Sequence, residues 1–309
     1  MIDQFVEVSS GGYYLHVKRG FLLLENKEDD EADAKIALDD IHALIISTKW
    51  CSFSNKVMIA LPERGAPVVF CDRKYQPISF LMPVNGNYRQ AAVMDAQFRA
   101  GLPMRKRLWK EIVVSKIEFQ AEVLKICNRA SLALECLSKN VRSGDPENVE
   151  AQAAAYYFKE LFGSDFRRDR EEAGINTALN YGYMVLRATV ARAVVGAGLH
   201  PTPSLHHKHS LNCMRLVDDL VEPFRPFVDL VVFRTPEASN EDLQPRMKAR
   251  MISMLHSKLH GSDGKTTMIR HIRLLAQSLV NILMEERKRL QLPEKSALIH
   301  FESESGLFD

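Results

Sequence analysis

The sequence has no apolar stretch approaching the ~20 residues that a membrane-spanning helix needs. Its five cysteines are odd in number, scattered and without a CxxC pair, which argues against a disulfide framework and against a cysteine zinc module. The first ten residues carry acids where a secretory signal has a basic start. These absences predict a protein of the reducing cytoplasm that is neither secreted nor inserted in a membrane.

Three common catalytic signatures are also missing. The chain has no HExxH, no GxxxxGK[ST] and no GxSxG, so zinc-protease, P-loop and nucleophile-elbow chemistry lack their necessary residues. The formal net charge is only +2, from 41 Lys and Arg against 39 Asp and Glu, which excludes a histone-like binder held by its total charge. Metal-assisted chemistry or binding remains, at a site set by where the charges lie.

The 309 residues change in texture near residue 85. Before it, β-branched or aromatic runs alternate with turn signals, and 54–61 is predicted as one short helix. The strands are predicted over 12–17, 20–24, 43–47, 67–71 and 77–81. After it, Ala, Leu, Glu, Lys and Arg dominate, and apolar residues recur at helical spacing. We expect an α+β multidomain protein: a small N-terminal β-domain over 1–85, a larger all-α domain over 86–300, and a flexible tail over 301–309.

Capping signals place the helices of the second domain. Asp145 puts a carboxylate before Pro146 at a first helical position, so a helix is predicted over 146–162. Glycine and proline signals predict a second helix over 177–195 and a third over about 210–223.

The segment 204–229 has the most unusual composition in the chain. It gathers histidines and acids among apolar residues, namely His206, His207, His209, Asp218, Asp219, Glu222 and Asp229. On a helix, Asp219 and Glu222 share a face, whereas Asp218 points elsewhere. Two carboxylates on one face repel each other unless a cation joins them, and a divalent ion with a neutral histidine as further ligand would do so. The alternative is a solvated acidic helix end beside a polar histidine loop, which is the commoner fate of such residues.

Other stretches have distinctive sequences: LDDIHALII (38–46), VVFCDRKYQPISFLMPVNGNYRQ (68–90), NVEAQAAAYYF (148–158) and ALNYGYMVLRATVARAVVGAGLHP (178–201). Together with the histidine pair and DLVEPFRPFVD (219–229), they resemble, in the same order along the chain, the CRISPR-associated integrase of spacer acquisition, particularly its type II form. Each motif is short, but their combination is specific and covers nearly the whole chain.

This resemblance implies a dimerising N-terminal β-domain and a helical, metal-dependent catalytic domain over 86–300, whose metal site uses one Glu, one His and one acidic residue. By position in the motifs, the ligands are Glu150, His207 and Glu222, and Asp219 completes the catalytic set as an auxiliary group. The family usually has a glycine shortly before the histidine, where this chain has Pro203-Ser204, so His206 stays open as the alternative to His207. The expected cofactor is Mg²⁺ or Mn²⁺.

The implied activity is metal-dependent joining of the 3′-hydroxyl ends of short foreign DNA to the CRISPR repeat array by transesterification, a step of antiviral defence. One alternative is a metal-dependent nuclease that cuts branched DNA, since hydrolysis differs only in the attacking group. Another is a non-catalytic DNA-binding scaffold. The expected partners are double-stranded DNA, a second copy of the chain as a homodimer, the small ferredoxin-fold adaptation subunit and other type II CRISPR proteins.

Basic residues lie where a DNA path would need them. Between 86 and 129 they outnumber acids nine to four: Arg89, Arg99, Arg105, Lys106, Arg107, Lys110, Lys116, Lys125 and Arg129. Further candidates for phosphate contact are Lys208, Arg225, Arg246, Lys248 and Arg250. Asn180 and Tyr181 are supporting candidates for the lining of the site, although aromatic residues at this helical spacing more often fill a core.

Overall fold

The computed structural model describes residues 3–26, 32–240, 243–261, 264–304 and 307. The chain divides into two compact units, Met1–Tyr88 and Arg89–Asp309. The division falls three residues after the change in composition at residue 85. Within the described ranges, no helix is long and apolar enough to cross a membrane.

The first unit is built mainly of strands. Its elements are β1 (Gln4–Val8), β2 (Tyr13–Lys18), β3 (Phe21–Asn26), β4 (Ala32–Ala37), a 3₁₀ turn (Leu38–Asp40), β5 (Ile41–Ile46), β6 (Cys51–Phe53), α1 (Asn55–Glu63), β7 (Val68–Cys71) and β8 (Pro77–Leu81). One sheet has the order β1-β5-β7-β8, and the other has the order β4-β3-β2-β6. The five predicted strands correspond to β2, β3, β5, β7 and β8, whereas β1, β4 and β6 were not predicted.

Burial explains which strands the sequence reveals. All six residues of β5 are buried, and β5 pairs in parallel with β1 on one side and with β7 on the other. A strand enclosed in this way has a continuous apolar sequence. Between β2 and β3, Arg19 and Gly20 both have positive φ, 50° and 81°, as a tight hairpin turn requires. Leu15, Leu22 and Leu44 belong to the core of this unit.

The second unit is mainly helical. Its helices are α2 (Gln90–Arg99), α3 (Leu102–Ile126), α4 (Leu132–Asn140), α5 (Val149–Phe162), α6 (Ile175–Gly196), α7 (Arg215–Val221), α8 (Arg225–Phe233), α9 (Pro245–His256), α10 (Met268–Leu283) and α11 (Ala297–Glu304). It also has 3₁₀ turns at Glu222–Phe224 and Pro236–Ser239 and an antiparallel pair, β9 (Lys258–Gly261) and β10 (Gly264–Thr267). Helix α3 packs against α4, α5, α8 and α11, and α6 packs against α7, α8, α9 and α10.

Two helix starts differ from their predicted positions. Helix α5 begins at Val149, three residues after Pro146, because Asp145 and Asn148 adopt positive φ before it. The Asp145 carboxylate still caps the helix, since it accepts the backbone N–H groups of Val149 at 2.8 Å and Glu150 at 3.0 Å. The third predicted helix begins at Arg215 and not near 210, and Glu222 opens a 3₁₀ turn before α8.

The predicted flexible tail from residue 301 is wrong at its first residues. Phe301 lies in α11 and is fully buried, with its ring centroid 5.4 Å from that of Phe227. This aromatic contact ties α11 to α8. Residues 305, 306, 308 and 309 of the predicted tail lie outside the described residues.

Candidate functional site

The carboxylates of Glu150 and Glu222 converge on the ammonium group of Lys116. Lys116 Nζ lies 2.6 Å from Glu150 Oε1 and 2.5 Å from Glu222 Oε2. Lys116 comes from α3, which packs against α5 and against the 3₁₀ turn that carries Glu222. Two acidic residues that are distant in sequence therefore meet at one buried cation.

A second cation, Arg225, neutralises Glu222 from its other oxygen. Arg225 Nε lies 3.0 Å from Glu222 Oε1, and its guanidinium stacks over the ring of Tyr183 at 4.6 Å. Burial alone would raise the pKa of Glu222, but the charges of Arg225 and Lys116 outweigh it and hold that pKa below its ordinary value. Arg225 was predicted as a contact for DNA phosphates, and in the structure its side chain pairs with Glu222.

The charge of Lys116 is maintained in the same way. Burial by itself lowers the pKa of its ammonium, but the negative charges of Glu222 and Glu150 outweigh burial and raise the pKa above its ordinary value. Lys116 is therefore a protonated, nearly buried cation. Its position shows that it is not one of the solvated DNA contacts that the basic stretch 86–129 predicts.

Asp219 holds the loop that carries the histidine pair. Its Oδ2 accepts the backbone N–H groups of Leu205 at 2.6 Å and His206 at 3.2 Å. Its Oδ1 accepts the backbone N–H of His207 at 3.2 Å and the ring Nδ1 of His207 at 2.7 Å. The Asp219 side chain is fully buried. Asp219 thus acts on the histidine loop, through hydrogen bonds that its three-residue spacing from Glu222 does not reveal.

The two histidines have different surroundings. The ring of His206 stacks parallel to that of Trp109, with centroids 4.4 Å apart, and burial lowers the pKa of His206. The hydrogen bond to Asp219 raises the pKa of His207 above its ordinary value. Because Asp219 binds Nδ1 of His207, the other ring nitrogen of His207, Nε2, is the one left to face a ligand. An imidazole oriented by a carboxylate through one nitrogen is typical of metal-binding histidines.

Asp218 anchors the other end of the same loop. It receives Arg187 Nε at 2.7 Å and Asn212 Nδ2 at 2.6 Å. The two neighbouring aspartates therefore point in different directions, as their helical spacing predicts. Between these two anchors, the loop residues 208–211 are exposed.

The donor groups of Glu150, Glu222 and His207 suit a divalent cation, although the two glutamates are arranged around Lys116. In the part of the chain that the structure describes, no three His, Cys, Asp or Glu side chains are grouped so that they could hold a metal ion. Lys116 stands where two of the predicted ligands meet, and its positive charge balances them. Two carboxylates and an imidazole form a mixed oxygen and nitrogen set that suits Mg²⁺ and Mn²⁺.

A cavity of about 390 Å³ lies beside the histidine loop. Its lining includes His207 with three basic side chains, Arg105, Lys208 and Arg215, and the aromatic ring of Phe98. Lys208 is exposed there, so the predicted phosphate contact nearest in sequence to His207 faces solvent. The cavity gives a phosphate-bearing ligand a cationic approach to the histidine.

The remaining basic candidates lie on α9. Arg246 is exposed and pairs with Glu237 at 3.4 Å, and Arg250 donates to the Thr235 hydroxyl at 3.1 Å. Lys248 Nζ lies 5.5 Å from the centre of the ring of Tyr181. Of the three, Arg246 offers the most accessible charge to a phosphate.

The two supporting candidates have structural surroundings. Tyr181 is fully buried and belongs to the core, which is the commoner outcome for an aromatic residue at that spacing. Asn180 is also buried, accepts Arg168 at 2.7 Å and donates to the carbonyl of Arg170 at 3.0 Å. Asn180 therefore fastens the segment before α6.

The sequence reasoning missed the roles of three residues, Lys116, Trp109 and Tyr183. A signal for Lys116 exists in the sequence: it lies four residues after Ile112 and three before Phe119, so it falls on the buried face of α3, where a lysine is unusual. Trp109 supports both histidines, stacked on one and edge-on to the other at 5.7 Å. Tyr183 donates its hydroxyl to Asp229, whose pKa burial raises to about 6. This last pair has no spacing signal, because it joins two helices.

Comparison with known proteins decides the family. Residues 6–248 match the family model of the CRISPR associated protein Cas1. The chain belongs to the Cas1 family. It is 34% identical over 302 residues to a CRISPR-associated endonuclease Cas1 of Neisseria meningitidis, covering 96% of this chain and 98% of that relative. The family resemblance read from the motifs is thus confirmed.

Solved structures show the Cas1 fold as well. A casposase bound to its integration product superposes with a TM-score of 0.78 at 22% identity, covering 94% of this chain and 93% of that one. A chain of a Cas6-RT-Cas1–Cas2 complex gives a TM-score of 0.75 at 17% identity, over 95% of this chain and 36% of the longer one. The predicted fold class, a β region followed by a helical region, is confirmed.

Proposed function

We propose that this chain is a metal-dependent DNA integrase of CRISPR adaptation, which joins the 3′-hydroxyl ends of short foreign DNA to the repeat array. The observation that carries the proposal is the convergence of Glu150 and Glu222 at one cation, beside a histidine oriented by Asp219. Two converging carboxylates and a nearby imidazole supply the oxygen and nitrogen donors that Mg²⁺ and Mn²⁺ accept. Membership of the Cas1 family supports the same conclusion.

In this proposal Glu150, Glu222 and Nε2 of His207 would hold the ion. Bound there, it would supply Lewis-acid chemistry to the attacking hydroxyl and to the charge that develops on the phosphodiester. Asp219 fixes the ring of His207 and the backbone of its loop, and Arg225 holds Glu222 in its ionised form. No side-chain nucleophile is required, because the DNA hydroxyl attacks.

The DNA path in this proposal approaches along the cavity beside His207. Arg105, Lys208 and Arg215 would contact phosphates there, and Arg246 would extend the path on α9. Such contacts position DNA without reading its sequence. In this proposal the β unit serves as the dimerisation domain, and the small ferredoxin-fold adaptation subunit completes the assembly. One structural neighbour is a chain of a Cas6-RT-Cas1–Cas2 complex, which supports an assembly with other Cas proteins.

The test is a strand-transfer assay with a labelled short duplex and a supercoiled plasmid that carries the repeat. The purified chain is assayed with and without the small partner, in Mg²⁺, in Mn²⁺ and in EDTA. A duplex ending in a dideoxynucleotide lacks the nucleophile but keeps its phosphates, so it should bind normally and fail to join. We expect joined product only with a 3′-hydroxyl and a divalent ion.

The same assay separates the alternatives. Equal product from the dideoxy duplex would favour a nuclease that uses water. DNA binding without products under any condition, and unchanged by Glu150→Ala, would favour the non-catalytic scaffold.

A further inference from the structure

Lys116 occupies the position from which a cation bridges Glu150 and Glu222. Its ammonium lies 2.6 Å from one carboxylate and 2.5 Å from the other, and only 10% of its side chain is exposed. Both contacts are to carboxylate oxygens, which are also the atoms that a divalent ion would need. The ammonium and the divalent ion are therefore alternative partners of the same two side chains.

The four groups that are in direct contact at this bridge balance one another in charge without a divalent ion. Two carboxylates, Glu150 and Glu222, face two cations, Lys116 and Arg225. A divalent ion added to this cluster would leave two excess positive charges in a mostly buried place, where repulsion is stronger than in water. One cation must therefore withdraw.

Lys116 is the cation that can leave. Arg225 is tied on two sides, by Glu222 at 3.0 Å and by the ring of Tyr183 at 4.6 Å. The Lys116 ammonium stands at the end of a flexible four-carbon stem, which allows it to move without shifting α3. Because the Arg225 guanidinium is planar and stacked on a ring, whereas the Lys116 ammonium is a flexible point charge, Lys116 is the residue that moves away.

We propose that Lys116 is an internal competitor of the divalent ion: it keeps the carboxylates together while the ion is absent and withdraws from them when the ion binds. This inference rests on the proposed function, since it assumes that Glu150 and Glu222 hold the ion. It makes Lys116 a positioning residue that sets metal affinity.

The first test measures Mn²⁺ affinity by calorimetric titration of the full chain. In Lys116→Met the competing charge is gone, so Mn²⁺ should bind about tenfold more tightly or better than to the wild type. Lys116→Arg retains the charge and should not bind Mn²⁺ more tightly. The control is Lys125→Met on the same helix, where a lysine also bridges two glutamates but is 45% exposed, and its affinity should equal that of the wild type.

The second test uses the wild-type chain, so it does not depend on whether Lys116→Met folds. Lysines are labelled by reductive methylation in EDTA and in Mn²⁺, and the labelling rate of each is followed by mass spectrometry. We expect Lys116 to react slowly in EDTA and several-fold faster in Mn²⁺, while Lys125 reacts equally in both. An unchanged rate at Lys116 would overturn the inference, as would unchanged or weaker Mn²⁺ affinity in Lys116→Met.

A further variant separates this inference from the proposed function. Glu222→Gln should lose Mn²⁺ binding if the ion is placed correctly. If Glu222→Gln binds Mn²⁺ as the wild type does, the metal site itself is misplaced. If Glu222→Gln loses binding and Lys116→Met gains none, the site stands and only the competition by Lys116 is refuted.

Discussion

Helix α3 carries two lysines that each bridge two glutamates, and the two bridges differ in their surroundings. Lys116 joins Glu150 and Glu222 with 10% of its side chain exposed, whereas Lys125 joins Glu122 and Glu135 with 45% exposed. Water screens the charges of the outer bridge, which is the one at Lys125, so this bridge contributes little to stability. The inner bridge, which is the one at Lys116, has lost that screening, so removing one of its charges leaves the others without compensation in a largely buried place. The same residue types thus form an exposed surface ion pair in one place and a candidate reaction centre in the other.

The largest expected difference between the bridges is in activity. Glu150→Gln, at the inner bridge, should lower the strand-transfer rate more than ~100-fold, because even the loss of a group behind a metal ligand typically costs ~10–100-fold. Glu122→Gln, at the outer bridge, should leave the rate unchanged. The strand-transfer rates of the two variants are compared in Mg²⁺ at equal concentrations of folded protein. Equal rates for the two variants would remove Glu150 from the site.

The next difference is in stability. Without divalent ions, Lys116→Met leaves two carboxylates with one counter-charge fewer in a largely buried place, which should cost about 3–5 kcal/mol of unfolding free energy. Lys125→Met changes an exposed bridge and should be indistinguishable from the wild type in urea unfolding followed by circular dichroism. If both variants are equally stable, the inner bridge is as well screened as the outer one.

A smaller effect concerns the loop beside the inner bridge. Asp219→Asn weakens the acceptor of three backbone N–H groups and of His207 Nδ1, so joining should fall ~10–100-fold and recover in part at high Mn²⁺. Glu222→Gln should stay inactive throughout the same titration. The matched control is Asp72→Asn, which also anchors a turn by accepting two backbone N–H groups and should retain full activity. The reverse ranking of Asp219→Asn and Glu222→Gln would move the ligand to Asp219.

The smallest expected effect concerns DNA affinity. Lys208 is exposed beside the cavity, so Lys208→Gln should weaken binding equally for all sequences and reduce the slope of log affinity against log salt by ~0.9, the value for one phosphate contact. Lys125→Gln should leave the slope unchanged. Fluorescence anisotropy measures the DNA affinity at salt concentrations from about 50 to 200 mM, and the slope is taken from these values.

The sequence predicted the elements whose burial leaves a pattern. The continuous apolar run of β5 and the capping carboxylate of Asp145 both follow from local chemistry. The short strand β6 has three residues, two of them exposed, and leaves no such pattern. The β9–β10 pair was equally hidden within a helical stretch, because its strands have only four residues each.

The site could be predicted in its residue types but not in its pairings. The motifs indicate Glu150, His207 and Glu222; the structure brings the two glutamates together at Lys116 and pairs His207 with Asp219. Which cation stands between the carboxylates depends on how α3 packs against α5, and sequence spacing within one helix cannot show that. The pairing of Arg225 with Glu222 is different, because the two residues are only three positions apart and their spacing alone could have indicated it.

The central claim is that Glu150, Glu222 and His207 hold a divalent ion at the place that Lys116 now occupies. Anomalous diffraction at the manganese edge, from crystals of the chain soaked in Mn²⁺, tests it most directly. We predict one anomalous peak within bonding distance of both carboxylates and of Nε2 of His207, with Lys116 Nζ withdrawn from between them. A peak elsewhere, with Lys116 still bridging Glu150 and Glu222, would contradict the claim.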